Sequence, residues 1–374
     1  FGQAIDAFEK QSDIKVKVQP VPAEFDTKFR TVLSSGVPPD LIKINDDYVK
    51  GISATGALLD LTPYIERDKP DTSQFPQDLY NFPKQPDGKH TAWVIAHSPR
   101  LFFYNVDLFK KAGVQLPPTE WTSENWHWDD FLKTAQKLTV PKKVWGGLVY
   151  LDTGYEQTFS VNNGDPTGIF SKDGKKFTLA SPKGAEAVQW ATDLTCKYHV
   201  QPNWGDLQNT DADLQLFTQQ KLAMMFLQFS SVPYLLQNAK GFDWDVTPPP
   251  AGSADQRTES SVIVYAIPAK AQNPDGAWEL LKFLTSQEGG KIFVQGNMWL
   301  PMDKRALKYL KQPPAHVNLF ADAVNHSTLP NQTLNTLGAR QIYRPLLDDV
   351  YNCQKSAADV LSSTTDQVEK SLTG

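Results

Sequence analysis

The stretch Arg100-Leu101-Phe102-Phe103-Tyr104-Asn105-Val106-Asp107-Leu108-Phe109-Lys110-Lys111-Ala112-Gly113-Val114 decides how the rest of the chain is read. Leu101 to Tyr104 is dense in residues that suit a buried pleated surface, and predicts a strand. Asp107 to Ala112 opens on an acid, carries paired lysines and is followed by Gly113, and so predicts a short helix entered directly from that strand.

Around this centre the chain alternates. Phe1 to Lys10 is helical in pattern with Ala4, Ile5 and Phe8 on one face, Ile14 to Val18 alternates as a half-buried strand does, and Glu24 to Leu33 reads as a second helix. Leu41 to Ile44 is the next strand, and this order is that of a largely parallel α/β sheet. Further on, Phe131 to Leu138 and Pro182 to Lys197 are amphipathic helices. The section Leu222 to Leu227 is a strand, and Ser261 to Ile267 is a second long one. Asn273-Pro274-Asp275 combines an N-cap, a proline at the first helical position and an acid, a strong start for the helix through Leu284; Gly289-Gly290 does not fully break the run to Val294. The tail from Thr333 to Thr373 is helical and amphipathic.

Composition bounds the function. A chain of 374 residues exceeds one ordinary core, and roughly 150 residues per domain suggests two or three. Hydrophobic residues at 40% and charged residues at 21% describe a globular chain. A net charge of -5, with no basic stripe, argues against nucleic acid as a partner. Aromatic residues reach 11%, including ten Trp, and Trp and Tyr offer flat apolar faces with a polar edge of the kind that sugars use. No apolar run approaches the ~18 residues of a membrane span. There is no Gly-rich phosphate loop, zinc helix or nucleophile elbow, and the six histidines have no metal spacing, so neither cofactor nor metal is expected and binding is favoured over catalysis. Cys196 and Cys353 fit no metal or redox spacing; a disulfide is possible but unforced, and buried free thiols are the simpler expectation.

Three motifs together resemble the bacterial extracellular solute-binding proteins, in particular the sugar-binding kind that includes maltose-binding protein. They are Ser35-Gly36-x-x-Pro39-Asp40, the Tyr104-Asn105-x-Asp107-Leu108-Phe109-Lys110-Lys111-Ala112-Gly113 run and Ala277 to Ser286. The resemblance implies an α/β, two-lobed periplasmic-binding-protein-like fold with three interlobe crossings. One lobe is then residues 1–101 with 265–313, the other 106–260 with 318–374, and the crossings are 102–105, 261–264 and 314–317. Relatives begin with a strand before the first helix, so the chain is expected to start late, with a signal peptide and any lipid anchor outside it. Two departures stand out. Val94 occupies a position where many relatives have Pro, and Gln220 one where they usually carry Gly.

By resemblance the protein captures a sugar outside the cytoplasmic membrane, in the periplasm or extracellularly, and delivers it as a monomer to the permease subunits of an ABC importer. The ligand contacts so implied are Glu24, Asp46, Asp47, Ser98, Tyr155, Gln228, Phe229, Ser230, Trp299 and Arg340. Asp46 and Asp47 follow a strand's carboxyl end, where ligands of open α/β sheets sit, although ordinary helix capping explains them equally well. Trp299 lies in the loop Gly296 to Pro301, where an indole can be aimed outward, and Tyr155 and Phe229 are its expected stacking partners; packing under the helix near Val294 competes for Trp299. Trp126 and Trp128 are read as structural. A glycosidase-like enzyme using Asp46 or Asp47, or the same fold holding a polyol or a phosphorylated polyol, are the alternatives.

Overall fold

The structure, a computed structural model, describes residues 1–20, 32–33, 36–149 and 152–373. Its strands are β1 (Ile42–Ile44), β2 (Trp93–Asn105), β3 (Met224–Gln228), β4 (Trp244–Thr247), β5 (Thr258–Ala266), β6 (Leu300–Pro301) and β7 (Ser327–Thr328). The chain divides into two compact units. Unit 1 comprises Phe1–His97 and Val262–Leu310, and unit 2 comprises Ser98–Ser261 and Lys311–Gly374. The divisions at 97/98 and 261/262 fall inside β2 and β5, so single strands serve both units.

The central stretch behaves as its composition dictates. All of β2 is buried, which explains why Leu101 to Tyr104 is continuously apolar and aromatic where a half-exposed strand would alternate. Leu101 to Tyr104 pair antiparallel with Leu227 to Met224. Asn105 then turns the chain: its side chain accepts the Leu108 N–H at 2.9 Å, capping the helix Val106–Ala112. Gly113, at φ +65°, ends the helix in the left-handed region that glycine adopts without strain.

In unit 1, Ala4, Ile5 and Phe8 are the buried face of the helix Gly2–Gln11, and Phe8 meets Phe283 at 5.6 Å. The helix Pro274–Leu284 begins where expected, with the Asn273 side chain accepting the Gly276 N–H at 3.0 Å. It buries Trp278 edge-on to Trp93 at 5.1 Å. The following helix, Gln287–Gln295, is separate. The break lies at Thr285–Ser286, where Ser286 Oγ accepts the Gly289 N–H, and not at the glycines. Gly290 is required for another reason: a Cβ there would stand 2.6 Å from Pro301 Cβ.

In unit 2, the helices Thr153–Asn162, Pro182–Cys196 and Ala357–Ser371 pack together over a core that includes Phe102, Phe131, Phe159 and Phe226. Trp126 is buried with its indole N–H donating to Pro248 O at 2.8 Å, and Trp128 stacks on Trp190 at 4.4 Å, the structural roles read from the sequence.

Three expectations need correction. Ile14 to Val18 keeps a weak alternation of burial but forms no strand; the Val16 N–H is taken by the Glu9 carboxylate at 2.7 Å instead of a neighbouring strand. Among the described residues the pairings β1–β5, β2–β3, β2–β4 and β2–β6 are antiparallel and β5–β7 parallel, so the named strands are not paired in a largely parallel way. Strands from distant passes of the chain meet here, and helical crossovers do not set their direction. Cys196 and Cys353 form a disulfide, with Cα atoms 5.6 Å apart, in place of free thiols. Tertiary packing of the two helical segments brings them together, which no spacing of two cysteines reveals.

Gln220 adopts φ +58°, in the left-handed region. The turn demands the conformation that glycine supplies cheaply, and this chain meets the demand with a glutamine.

Candidate functional site

The candidate residues fall into two groups, one per unit, with Glu24 outside the described residues. In unit 1, Asp46 and Asp47 form the first turn of the short helical segment Asp46–Tyr48 directly after β1. Asp46 Oδ1 accepts the Asp47 N–H at 3.1 Å, so Asp46 serves the local backbone, and both side chains are half-buried. Trp299 immediately precedes β6 and is half-buried. Its indole is edge-on to Phe293 at 5.4 Å and to Phe1 at 6.3 Å, so helix packing and partial exposure are both realised in one residue.

In unit 2 the sequence-distant residues Ser98, Gln228 and Ser230 converge. The β2–β3 register sets Arg100 opposite Gln228, which brings the start of the unit 2 part of β2 beside the end of β3. Ser98 Oγ accepts the Ser230 N–H at 3.0 Å, and Ser230 Oγ donates to Gln228 Oε1 at 3.2 Å. Gln228 Nε2 donates in turn to Ser261 Oγ at 2.8 Å. Ser98 is buried, while Gln228, Ser230 and Ser261 are half-buried.

Two aromatic candidates of unit 2 are fully buried. Tyr155 is fully buried in the unit 2 core, its hydroxyl 3.1 Å from that of Tyr351, and burial pushes its pKa well above the usual phenol value. Phe229 is also fully buried, edge-on to Phe320 at 4.8 Å. Neither ring offers a face to solvent in this structure. Arg340 is half-buried beside an internal charge cluster, where it acts with Arg344 on Glu156. Glu156 has no exposed surface; burial raises its pKa, against the pull of the paired Arg344 and a 2.8 Å hydrogen bond from the Tyr343 hydroxyl.

A second set of charges, behind the Ser98–Gln228–Ser230 cluster, was not anticipated. Arg100, 7% exposed at its side chain, pairs with Glu259 (Nε to Oε2, 2.8 Å) and with Asp152 (Nη2 to Oδ2, 2.8 Å). Burial alone would lower the Arg100 pKa, but the two carboxylates outweigh it and hold the guanidinium firmly charged. Asp152 also caps the helix Thr153–Asn162 by accepting the Gly154 and Tyr155 N–H groups. Gly154 is the residue that admits the guanidinium, since a Cβ there would lie 2.2 Å from Arg100 Nε. A signal existed in the sequence: Arg100 is a lone charge entering an apolar strand, and such a charge needs a buried partner.

Among the described residues no group of His, Cys, Asp and Glu could hold a metal ion, and no helix is long and apolar enough to cross a membrane. Two surface pockets, of about 360 Å³ in unit 1 and about 380 Å³ in unit 2, are lined by none of the candidate residues. What the candidates offer is instead hydroxyl, amide and carboxylate groups, most of them at strand ends, together with one partly exposed indole. This inventory suits a neutral, hydroxyl-bearing ligand better than it suits bond-breaking chemistry.

Comparison with known proteins agrees with that inventory. The model of the family described as bacterial extracellular solute-binding protein matches residues 1–291. The ABC substrate-binding protein Lmo0181 of Listeria monocytogenes, solved in complex with cycloalternan, is 28% identical and superposes with a TM-score of 0.88 over 99% of this chain and 94% of that one. The protein BAB2_0491 of Brucella abortus (strain 2308) is 26% identical over 293 residues, 75% of this chain but 66% of the relative. The arabinooligosaccharide-binding protein of Bacillus subtilis (strain 168) is 28% identical over 196 residues, 50% of this chain and 42% of that protein. A strand-to-helix centre serving two α/β units, and a family match over more than three quarters of the sequence, make this chain a member of the bacterial extracellular solute-binding protein family.

Proposed function

We propose that the protein is the solute receptor of an ABC importer and that its ligand is an oligosaccharide. The observation that carries this reading is the convergence of Ser98, Gln228 and Ser230 on one polar cluster, because hydroxyl and amide groups recognise sugar hydroxyls without an ionic partner. The relatives support the ligand class, one being solved with cycloalternan and another being an arabinooligosaccharide-binding protein. In this reading Asp47 supplies a charge-assisted acceptor, at ~1.5 to 3 kcal/mol per bond, and the partly exposed face of Trp299 covers a pyranose ring. The protein works outside the cytoplasmic membrane as a monomer that hands its ligand to the permease subunits, and it returns the oligosaccharide uncut.

A thermal-shift screen against arabino-, malto- and cyclic oligosaccharides tests the proposal. A ligand at about 100 times its Kd stabilises the folded state by about 2.7 kcal/mol, a shift easily read. Asp47→Ala should then weaken binding by about tenfold or more while the ligand-free melting temperature stays within about 1 °C. No shift with any oligosaccharide, or cleavage of one on incubation, sinks the reading.

A further inference from the structure

We propose that Arg100, Glu259 and Ser261 form a positioning relay that dictates which atoms of Gln228 and Ser230 face a hydroxyl-bearing ligand. The proposal rests on the reading of Gln228 and Ser230 as ligand-facing residues.

The logic follows from what each group is able to donate. The Arg100 guanidinium is donor-only and has its Nε 2.8 Å from Glu259 Oε2, with Asp152 holding its far side. Glu259, 4% exposed and paired with this fixed cation, is thereby held as an ionised, acceptor-only carboxylate. Its other oxygen, Oε1, lies 3.1 Å from Ser261 Oγ, so the single Ser261 proton must go to it. Ser261 Oγ is then an acceptor towards its remaining neighbour, the Gln228 side chain at 2.8 Å. Only the amide nitrogen can satisfy that contact, and the amide oxygen is therefore turned towards Ser230 Oγ at 3.2 Å. The two ends of a glutamine amide are nearly alike in shape, and it is the chain of charge and proton from Arg100 that distinguishes them here.

The outcome at the half-buried end of the chain is specific. Ser230 spends its proton on Gln228 and keeps an acceptor lone pair. Gln228 spends one N–H on Ser261 and keeps the other as a donor. The pair thus presents an acceptor beside a donor, which matches a hydroxyl or two vicinal hydroxyls, each able to give one hydrogen bond and take one. A ligand edge made only of acceptors meets one partner in place of two.

The side-chain amide signals of Gln228 in 15N-labelled protein, assigned by their loss in Gln228→Met, test the relay without any ligand. In Ser261→Ala these signals should move and exchange faster with water, and Ser261→Thr, which keeps the hydroxyl, should restore them. Glu259→Gln should move them in the parent background but not when Ser261 is already alanine, because its influence passes through that hydroxyl. Titration with arabinotriose and maltotriose then reads the consequence: Ser261→Ala should lose about fivefold in affinity, with the ligand-free melting temperature nearly unchanged. Gln228 signals indifferent to Ser261→Ala, or a Glu259→Gln effect of equal size in both backgrounds, would overturn the relay. Signals that move while affinity does not would overturn the assignment of these atoms to the ligand, and the proposal with it. A parent protein that binds no oligosaccharide refutes the ligand class, and the amide signals alone then decide the relay.

Discussion

Tyr155 provides the sharpest separation between structural support and ligand contact. Its ring has no exposed surface and its hydroxyl lies 3.1 Å from that of Tyr351, which is itself 2% exposed. Tyr155→Phe removes that hydrogen bond and leaves the Tyr351 hydroxyl in a dry environment without this partner, at a cost of about 1–3 kcal/mol. Tyr155→Ala also removes the ring from contact with Phe159, and truncation of a fully buried aromatic costs about 3–5 kcal/mol. In a unit of this size each kcal/mol lowers the melting temperature by roughly 2–4 °C, so the expected falls are about 2–12 °C for Phe and about 6–20 °C for Ala. Calorimetric melting gives the stability and isothermal titration with the oligosaccharide found by screening gives the affinity. The burial argument requires that Phe melt earlier yet bind within about twofold of the parent. If Ala instead lost more than tenfold in affinity while melting near the parent, the buried placement of Tyr155 would be refuted and a stacking role would stand.

Other outcomes follow from single features. Gln220→Gly should raise stability by about 0.5–1 kcal/mol, because relief of the left-handed backbone exceeds the added freedom of the unfolded chain; a lower urea midpoint would contradict this. The Cys196–Cys353 bond closes 157 residues of sequence separation, and replacing both cysteines by serine should cost about 2–5 kcal/mol, read as an earlier urea transition; an unchanged midpoint would count against a stabilising role. His97 is fully buried, and burial, helped by Lys304, holds its pKa down at about 3. The unfolded chain therefore binds the proton that the folded chain refuses between pH 6.5 and about 3. Stability should fall with acidification across that window by up to about 1.4 kcal/mol per pH unit, and His97→Gln should flatten the fall; identical acid limbs for parent and variant would exclude His97 as the cause.

What the sequence disclosed depended on how local the signal was. The turn from β2 into the helix Val106–Ala112 was legible because the acid at Asp107 opens the helix and Gly113, in the left-handed region, closes it, whereas the Asn105 cap was not read. The start at Asn273-Pro274 was legible for the same reason. Ile14 to Val18 misled because period-2 alternation records which side of an extended chain is wet, not whether a partner strand stands beside it. Tyr155 was placed by analogy of position, and neither its burial nor its link to Tyr351, 196 residues away, has a local trace. The cluster of Ser98, Gln228 and Ser230 came from resemblance alone, whereas the Arg100–Glu259–Asp152 set that supports it was overlooked. The lone arginine was visible in the sequence, but its two partners become neighbours only through the pairing of β2 and β5 and the approach of the helix Thr153–Asn162.

That both units are assembled from separated segments bears on the order in which the chain can fold. Among the described residues β1 finds its antiparallel partner in Val264 to Ala266, more than two hundred residues later, and β2 meets β6 at Leu300 and Pro301. A nascent chain that has not yet received these residues cannot complete unit 1, however long it waits. Closing such long loops costs entropy before any contact repays it, which makes folding slow relative to helical domains of the same stability. For a member of an extracellular family this delay has a use. A polypeptide that stays unfinished until its last third has emerged is one that an export machinery can still thread through a membrane.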